Sequence, residues 1–300
     1  MAQTNDPAYR EEAAVLETES GQIHGTLMIP AGVEKPPVVL IHAGSGPTDR
    51  NGNNPVMTNN SLKMLAEGLA EAGIASLRFD KRGIAESTAA AKSELDLRFE
   101  TYIEDAAAWI RQLKMDNRFS SVVVLGHSEG SLIGIIAARQ AEAAAVVSIA
   151  GTGKKAGDVL KEQIAASSPM ATPMTSPIID SLEAGKLVDE VSPMLAALFR
   201  PSVQPYLISW FKYDPQEEIK KLSMPVLIVQ GTTDIQVPVA HAELLAQAKP
   251  DAKLVVIEGM NHILKEAPEE RMANIAAYSM PDRPLQAGLL EAIIDFVKGL

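Results

Sequence analysis

Two rhythms of apolar residues alternate along the chain. Short runs that are apolar at nearly every position occur at 37–42 (PVVLIH), 74–79, 122–125, 145–149, 226–230 and 254–257. Rich in Val and Ile, they read as strands covered on both faces, as in a parallel sheet. Between them, 60–72, 100–114, 131–140 and 239–248 carry apolar residues three and four apart, the spacing of one helix face. A last helix is expected over 289–297, after the breaker Pro284 and before Gly299. Segments 15–19 and 23–29 flank Ser20-Gly21 and read as an opening antiparallel pair. The alternation predicts an α/β fold built on a mostly parallel sheet.

The rhythm breaks between 152 and 215, where no strand pattern appears and six prolines divide short amphipathic pieces. A structureless loop of this length is improbable. The segment is expected to be a helical cap over one end of the sheet, inserted into a core made of 1–151 and 216–300. A second small domain or a dimerisation arm is the alternative, which leaves a homodimer open. A further excursion, 264–284, is polar and helical in pattern with a proline-rich end.

Composition narrows the chemistry. The 300 residues are 46% hydrophobic but only 4% aromatic, so the core must rest on Ala, Val, Ile, Leu and Met. A net charge of −11 with no basic run longer than a pair argues against nucleic acid as a partner. There is no cysteine, which excludes thiolate nucleophiles and thiolate metal sites. No apolar run reaches the ~18 residues of a membrane span. The opening MAQTNDPAYREE has no basic-then-apolar leader, though its A-Q-T start also suits a chain whose leader was removed. Cytoplasmic and exported readings both stand.

Within 122–139 lies Gly126-His127-Ser128-Glu129-Gly130, a G-x-S-x-G pattern between a strand and a helix. In that context the sharp turn raises the serine above the sheet at a helix N-terminus, where N–H groups favour developing negative charge. A serine needs a base, usually a histidine oriented by a carboxylate. Of five histidines, His24 and His42 lie in strands, His127 is inside the turn and His241 opens a helix. His262 follows the last strand in E-G-M-N-H-I, at the sheet end where the serine is expected. Asp234, in G-T-T-D just beyond 226–230, is the expected orienting acid. The catalytic candidates are therefore Ser128, Asp234 and His262.

An oxyanion needs donors. The backbone N–H of Glu129 is one candidate, and Gly44 or Ser45, in the loop H-A-G-S-G-P-T-D-R-N-G-N, supplies the other. That loop matches neither a phosphate-binding nor a calcium-binding pattern, and H-E-x-x-H is absent, so no metal or cofactor is called for.

Together, H-A-G-S-G-P-T-D-R, L-R-F-D-K-R-G-I-A-E-S at 77–87, G-H-S-E-G, G-T-T-D and N-H resemble the α/β-hydrolase superfamily, most closely its bacterial esterase and serine-aminopeptidase-like branch. The resemblance implies an eight-stranded sheet, a cap after the sixth strand, the Ser128–Asp234–His262 triad and two backbone oxyanion donors. Ala43 and Ala85 stand where the family usually has glycine. Asp80 and Arg82 are expected to brace the loop after the fourth strand.

The expected reaction is cleavage of a small-molecule carboxylic ester through an acyl-serine. The apolar, Met-rich 152–215 segment points to a hydrophobic acyl or alcohol moiety, with short-to-medium acyl chains expected and Met170, Met174, Met194, Phe199 and Trp210 as substrate contacts. An aminopeptidase or amidase with the same triad would need an amine-binding acid, for which Glu183, Asp189 and Glu190 are available. A non-catalytic ligand-binding protein of the same fold is the third reading.

Overall fold

The computed structural model describes residues 8–300; the first seven residues of the opening stretch read above lie outside the described residues. The first hairpin is longer than its apolar positions predict. β1 (Tyr9–Thr18) and β2 (Gly21–Pro30) pair antiparallel over their full length, because Gly21 closes the turn and charged residues occupy the outward positions.

β3 (Val38–His42), helix α1 (Ser61–Glu71), β4 (Ala75–Phe79), α2 (Phe99–Met115), β5 (Val122–His127), α3 (Glu129–Ala141) and β6 (Ala145–Ile149) follow in the expected alternation. The eight strands form one sheet in the order β1-β2-β4-β3-β5-β6 and then two later strands, β7 (Val226–Gly231) and β8 (Lys253–Ile257). Five of the seven strand pairings are parallel.

Successive side chains on a strand point to opposite faces, so each buried strand feeds two cores. Leu40 of β3 packs with α2 and α3 on one face, while Val39 and Ile41 pack with α1 and the terminal helix on the other. Strands β3 to β7 are buried at every position, as their nearly continuous apolar runs lead one to expect, and polar exceptions such as Ser76, Arg78, Ser148 and Gln230 are buried with them. The run at 254–257 departs from that expectation. β8 is the edge of the sheet, and only Ile257 in it is buried while Val256 is 43% exposed. An apolar run alone does not tell a central strand from an edge strand.

Between β6 and β7 the chain is helical: α4 (Ala156–Ser167), α5 (Thr172–Glu183), α6 (Ala196–Phe199), α7 (Gln204–Trp210) and α8 (Pro215–Lys220). The prolines do not all break it. Pro177 lies inside α5, which continues through it without that position's amide hydrogen bond. After β7 come α9 (Val239–Ala248) and β8. In 264–284 only α10 (Arg271–Ala277) is α-helical, and the ends of that excursion are pinned by isolated bridges from Met260 to Glu266 and from Lys265 to Leu285. α11 (Leu289–Lys298) closes the chain.

The topology fixes where a ligand belongs. From β3 the chain moves outward to β4, then crosses back to place β5 on the other side of β3. Open α/β sheets bind ligands at the strand C-terminal ends where the order reverses. Here that point is the β3–β5 seam, where His42 is in register with Gly126.

Candidate active site

Ser128 sits on that seam, between the last residue of β5 and the first of α3. Its φ of 56° and ψ of −122° are strained for an L-residue. The flanking glycines make the turn sterically feasible. A Cβ on Gly126 would fall 2.1 Å from the Gly130 carbonyl oxygen, and one on Gly130 would fall 2.6 Å from the carbonyl oxygens of His42 and Ala43. The serine amide donates to Ile149 O at 2.9 Å, tying the turn to the end of β6.

The loops after β7 and β8 bring Asp234 and His262 to the same sheet end. His262 Nδ1 and Asp234 Oδ2 are 2.8 Å apart. The carboxylate is held from every side: Oδ1 accepts from the amides of Gln236 (2.8 Å) and Val237 (2.9 Å), and Oδ2 also accepts from Gln230 Nε2 (3.0 Å). Burial alone would raise the carboxyl pKa. Attraction to His262, the bond to its ring and the two amides outweigh burial and hold Asp234 below the ordinary carboxylate value. Gln230, the last side chain of the 226–230 run, thus orients the acid, a role its polar position in a buried strand hinted at.

His127 belongs to the site in a way its place inside the turn concealed. Its Nε2 donates to the backbone carbonyl of His262 at 2.7 Å, locking the β8 loop to the serine turn. Burial, and then the nearby His262, push its pKa down to about 4, so the ring is neutral at pH 7. His241 serves elsewhere: its Nδ1 accepts from the Gly153 amide at 3.0 Å and its Nε2 faces Glu162. His42, also buried, is pushed down to about 3 by burial and by Lys81.

Gly44, one of the two expected loop donors, packs against the serine, since a Cβ there would meet Ser128 Cβ at 3.1 Å. Ser45 lines the space above Ser128. Sequence reading missed what holds this loop. The fully buried Lys81 ammonium donates to the carbonyl oxygens of Gly44 and Gly46. Burial lowers its pKa, opposed by the Glu129 carboxylate. Glu129, beyond its expected backbone role, is buried and accepts from the Tyr206 hydroxyl at 2.7 Å. Burial raises its pKa against the pull of Lys81 and that hydrogen bond. A lysine beside the D-x-R-G stretch and a glutamate after the serine were both visible, but nothing in sequence paired them. Asp80 accepts from the Arg50 amide and guanidinium, and Arg82 pairs with Asp105, so both are spent on loop structure.

Two cavities meet above Ser128. The larger, about 500 Å³, lies under the helices between β6 and β7. Of the five substrate contacts expected there, only Trp210 lines it. Met170, Met174 and Met194 face solvent at 92%, 46% and 77% exposure, and Phe199 is fully buried in the core. The correction is physical: methionines in short, proline-divided helices fell on the outer face, and the lining comes from α4, α6 and α7 instead. The acids considered for amine binding do not reach the site either. Glu183 pairs with Lys161, and Asp189 and Glu190 are exposed.

Residues 58–192 match the family described as serine aminopeptidase, S33. Esterase EstD from Thermotoga maritima is 29% identical over 286 residues, covering 89% of this chain; the chain spans 64% of that relative's length. Est1E from Butyrivibrio proteoclasticus with bound ferulic acid superposes with a TM-score of 0.63 at 18% identity, over 96% of this chain and 97% of that one. The α/β hydrolase GrgF from Penicillium sp. sh18 gives the same TM-score at 18% identity, over 97% and 98%. The chain has the α/β-hydrolase fold. Within this fold the strained serine turn, the Asp234–His262 pair and the braced glycine loop converge on the carboxyl ends of β3, β5, β7 and β8. Among the described residues no helix is long and apolar enough to cross a membrane.

Proposed function

We propose that the protein is a serine esterase that cleaves carboxylic esters of short-to-medium acyl chains through an acyl-serine. The observation that carries this reading is the 2.8 Å contact from Asp234 to His262, which lines the same cleft as the strained Ser128. The esterase relative supports it, and Trp210 together with the apolar wall of the large cavity supports an apolar substrate part.

In the reaction, Ser128 Oγ bonds to the ester carbon as its proton passes to His262 Nε2, and the carbonyl electron pair moves onto oxygen. The amides of Glu129 and of Gly44 or Ser45 receive that oxyanion. Asp234 fixes the His262 tautomer with Nδ1–H toward the carboxylate and stabilises the imidazolium. The C–O bond to the alcohol then breaks, and the alcohol leaves with the proton held on Nε2. Water repeats the sequence: its oxygen bonds to the acyl carbon, its proton goes to His262, and Ser128 leaves with that proton as the acid departs. Residues 152–215 act as the cap that encloses the acyl group.

A fluorophosphonate is expected to label the protein, and Ser128→Ala to abolish both labelling and aryl-ester turnover. No labelling of the native protein would sink the reading. Turnover of aminoacyl anilides above that of aryl esters would favour the amidase alternative, for which Glu183, Asp189 and Glu190 offer no support.

A further inference from the structure

The two cavities above Ser128 differ in chemistry, and one residue tells them apart. The larger is walled mainly by Ala156, Val159, Leu160, Leu198, Leu207 and Trp210, with Glu129, Gln163 and Arg200 as its polar members. The smaller, about 180 Å³, mixes Thr48, Asn54, Asn59, Ser61 and Tyr278 with the apolar Met57, Leu62 and Ile263, and is the more polar of the two. Ser45, Ser128 and Gln236 line both, so they form the seam, whereas His262 lines only the small polar cleft.

Resting on the serine-esterase reading, we infer that the site takes esters of an apolar acid with a small polar alcohol, the acyl group in the large cavity and the alcohol in the cleft beside His262. The direction follows from proton transfer. The leaving alcohol oxygen takes its proton from His262 Nε2, and a general acid must lie within hydrogen-bond reach of the atom it protonates. The alcohol arm therefore departs on the histidine side. The acyl substituent, on the other side of the same carbon, runs into the large cavity.

The lining matches that direction. The Tyr278 hydroxyl accepts from Gln236 Nε2 at 3.1 Å, which leaves its own proton free to donate. Burial pushes this phenol up, so it stays protonated across the neutral range. An alcohol carrying hydroxyls can replace the water such groups lose, and an alkyl chain cannot. The cleft holds on the order of six waters' volume, the scale of a three-carbon polyol. In the large cavity the preference reverses, since its wall offers an acyl chain mainly aliphatic and indole surface.

Glyceryl monooctanoate and octyl glycerate contain the same atoms with the ester reversed, so they isolate direction from size and total polarity. Below their aggregation limits, glyceryl monooctanoate is expected to have a kcat/KM at least about tenfold the higher. Leu198→Trp, at a half-exposed position of the large cavity, should lower kcat/KM for the octanoyl ester several-fold more than for glyceryl acetate. Tyr278→Phe should shrink the preference between the isomers without lowering the melting temperature enough to unfold the protein. Equal or reversed rates for the isomers overturn the inference. p-Nitrophenyl acetate turnover and Ser128 labelling are measured in parallel. If they persist, a reversed preference refutes only the assignment of sides; if they are absent, the esterase reading falls and this inference with it.

Discussion

The Lys81 ammonium holds Gly44 by its main-chain carbonyl, and Gly44 in turn packs against Ser128. The same ammonium donates to Gly46 at 3.0 Å. A buried cation thus fixes the direction of the loop whose amides are assigned to the oxyanion, and Glu129, across the site, supplies its countercharge.

Lys81→Met is therefore expected to lower kcat about 10- to 100-fold, less than outright loss of an oxyanion donor, with little change in KM for a small ester. Because the variant strands the buried Glu129 carboxylate, it should also lower the melting temperature. Adding Glu129→Gln should restore stability but not kcat. Recovery of both together would mean that Lys81 acts only through packing.

The serine turn stores strain that the fold tolerates at a cost. Ser128→Gly is expected to be inactive yet more stable by about 1 kcal/mol, because glycine adopts φ of 56° without the Cβ penalty. Denaturant unfolding of the variant beside Ser128→Ala checks this, since alanine removes the hydroxyl and keeps the strain. Equal midpoints for the two variants would dispose of the strain argument.

Two neutral buried histidines predict how stability responds to acid. His42 and His127 are pushed down to about 3 and about 4, against about 6.5 in an unfolded chain. Below pH 6.5 the unfolded chain binds protons that the folded one refuses. The contribution of these groups is thus complete above 6.5 and is lost as pH falls through the folded values. Each histidine contributes a slope of up to about 1.4 kcal/mol per pH unit inside its window. Glu129, with its pKa raised, works in the opposite direction, so the comparison is made between variants. His127→Gln keeps a donor for His262 O and removes one titration; its unfolding midpoint should fall less steeply from pH 6.5 to 4 than that of the native protein. An unchanged slope would remove His127 from the account.

The outward methionines give a contrasting expectation. Met170→Ser and Met194→Ser should leave kcat/KM for aryl esters unchanged, because these side chains are 92% and 77% exposed and line neither cavity at Ser128. A loss beyond twofold, about 0.4 kcal/mol of transition-state binding, would show that the helices between β6 and β7 rearrange around substrate.

What was legible in the sequence follows from how local each signal is. The strands β3 to β7 announce themselves because burial on both faces writes a continuous apolar run. The serine turn is legible because sterics demand glycine on both sides. Asp234 and His262 follow from their places at strand ends, and their 2.8 Å contact bears on the pairing. The lysine that braces Gly44 was hidden, since a buried ammonium bonded to carbonyls leaves no pattern in neighbouring residues. The methionine orientation was hidden too: helical pieces of three to twelve residues separated by prolines carry too few turns to fix which face points inward.

The bond from His127 to the His262 carbonyl joins residues 135 apart in the chain. Such distant closures come late in folding, because loop entropy must be spent before they repay it. The Asp234–His262 pair therefore comes to the serine turn only after β7 and β8 have added to the sheet. During synthesis the emerging chain therefore carries the serine turn before the Asp234–His262 pair can stand beside it, and on the proposed mechanism its chemistry would switch on with the last strand.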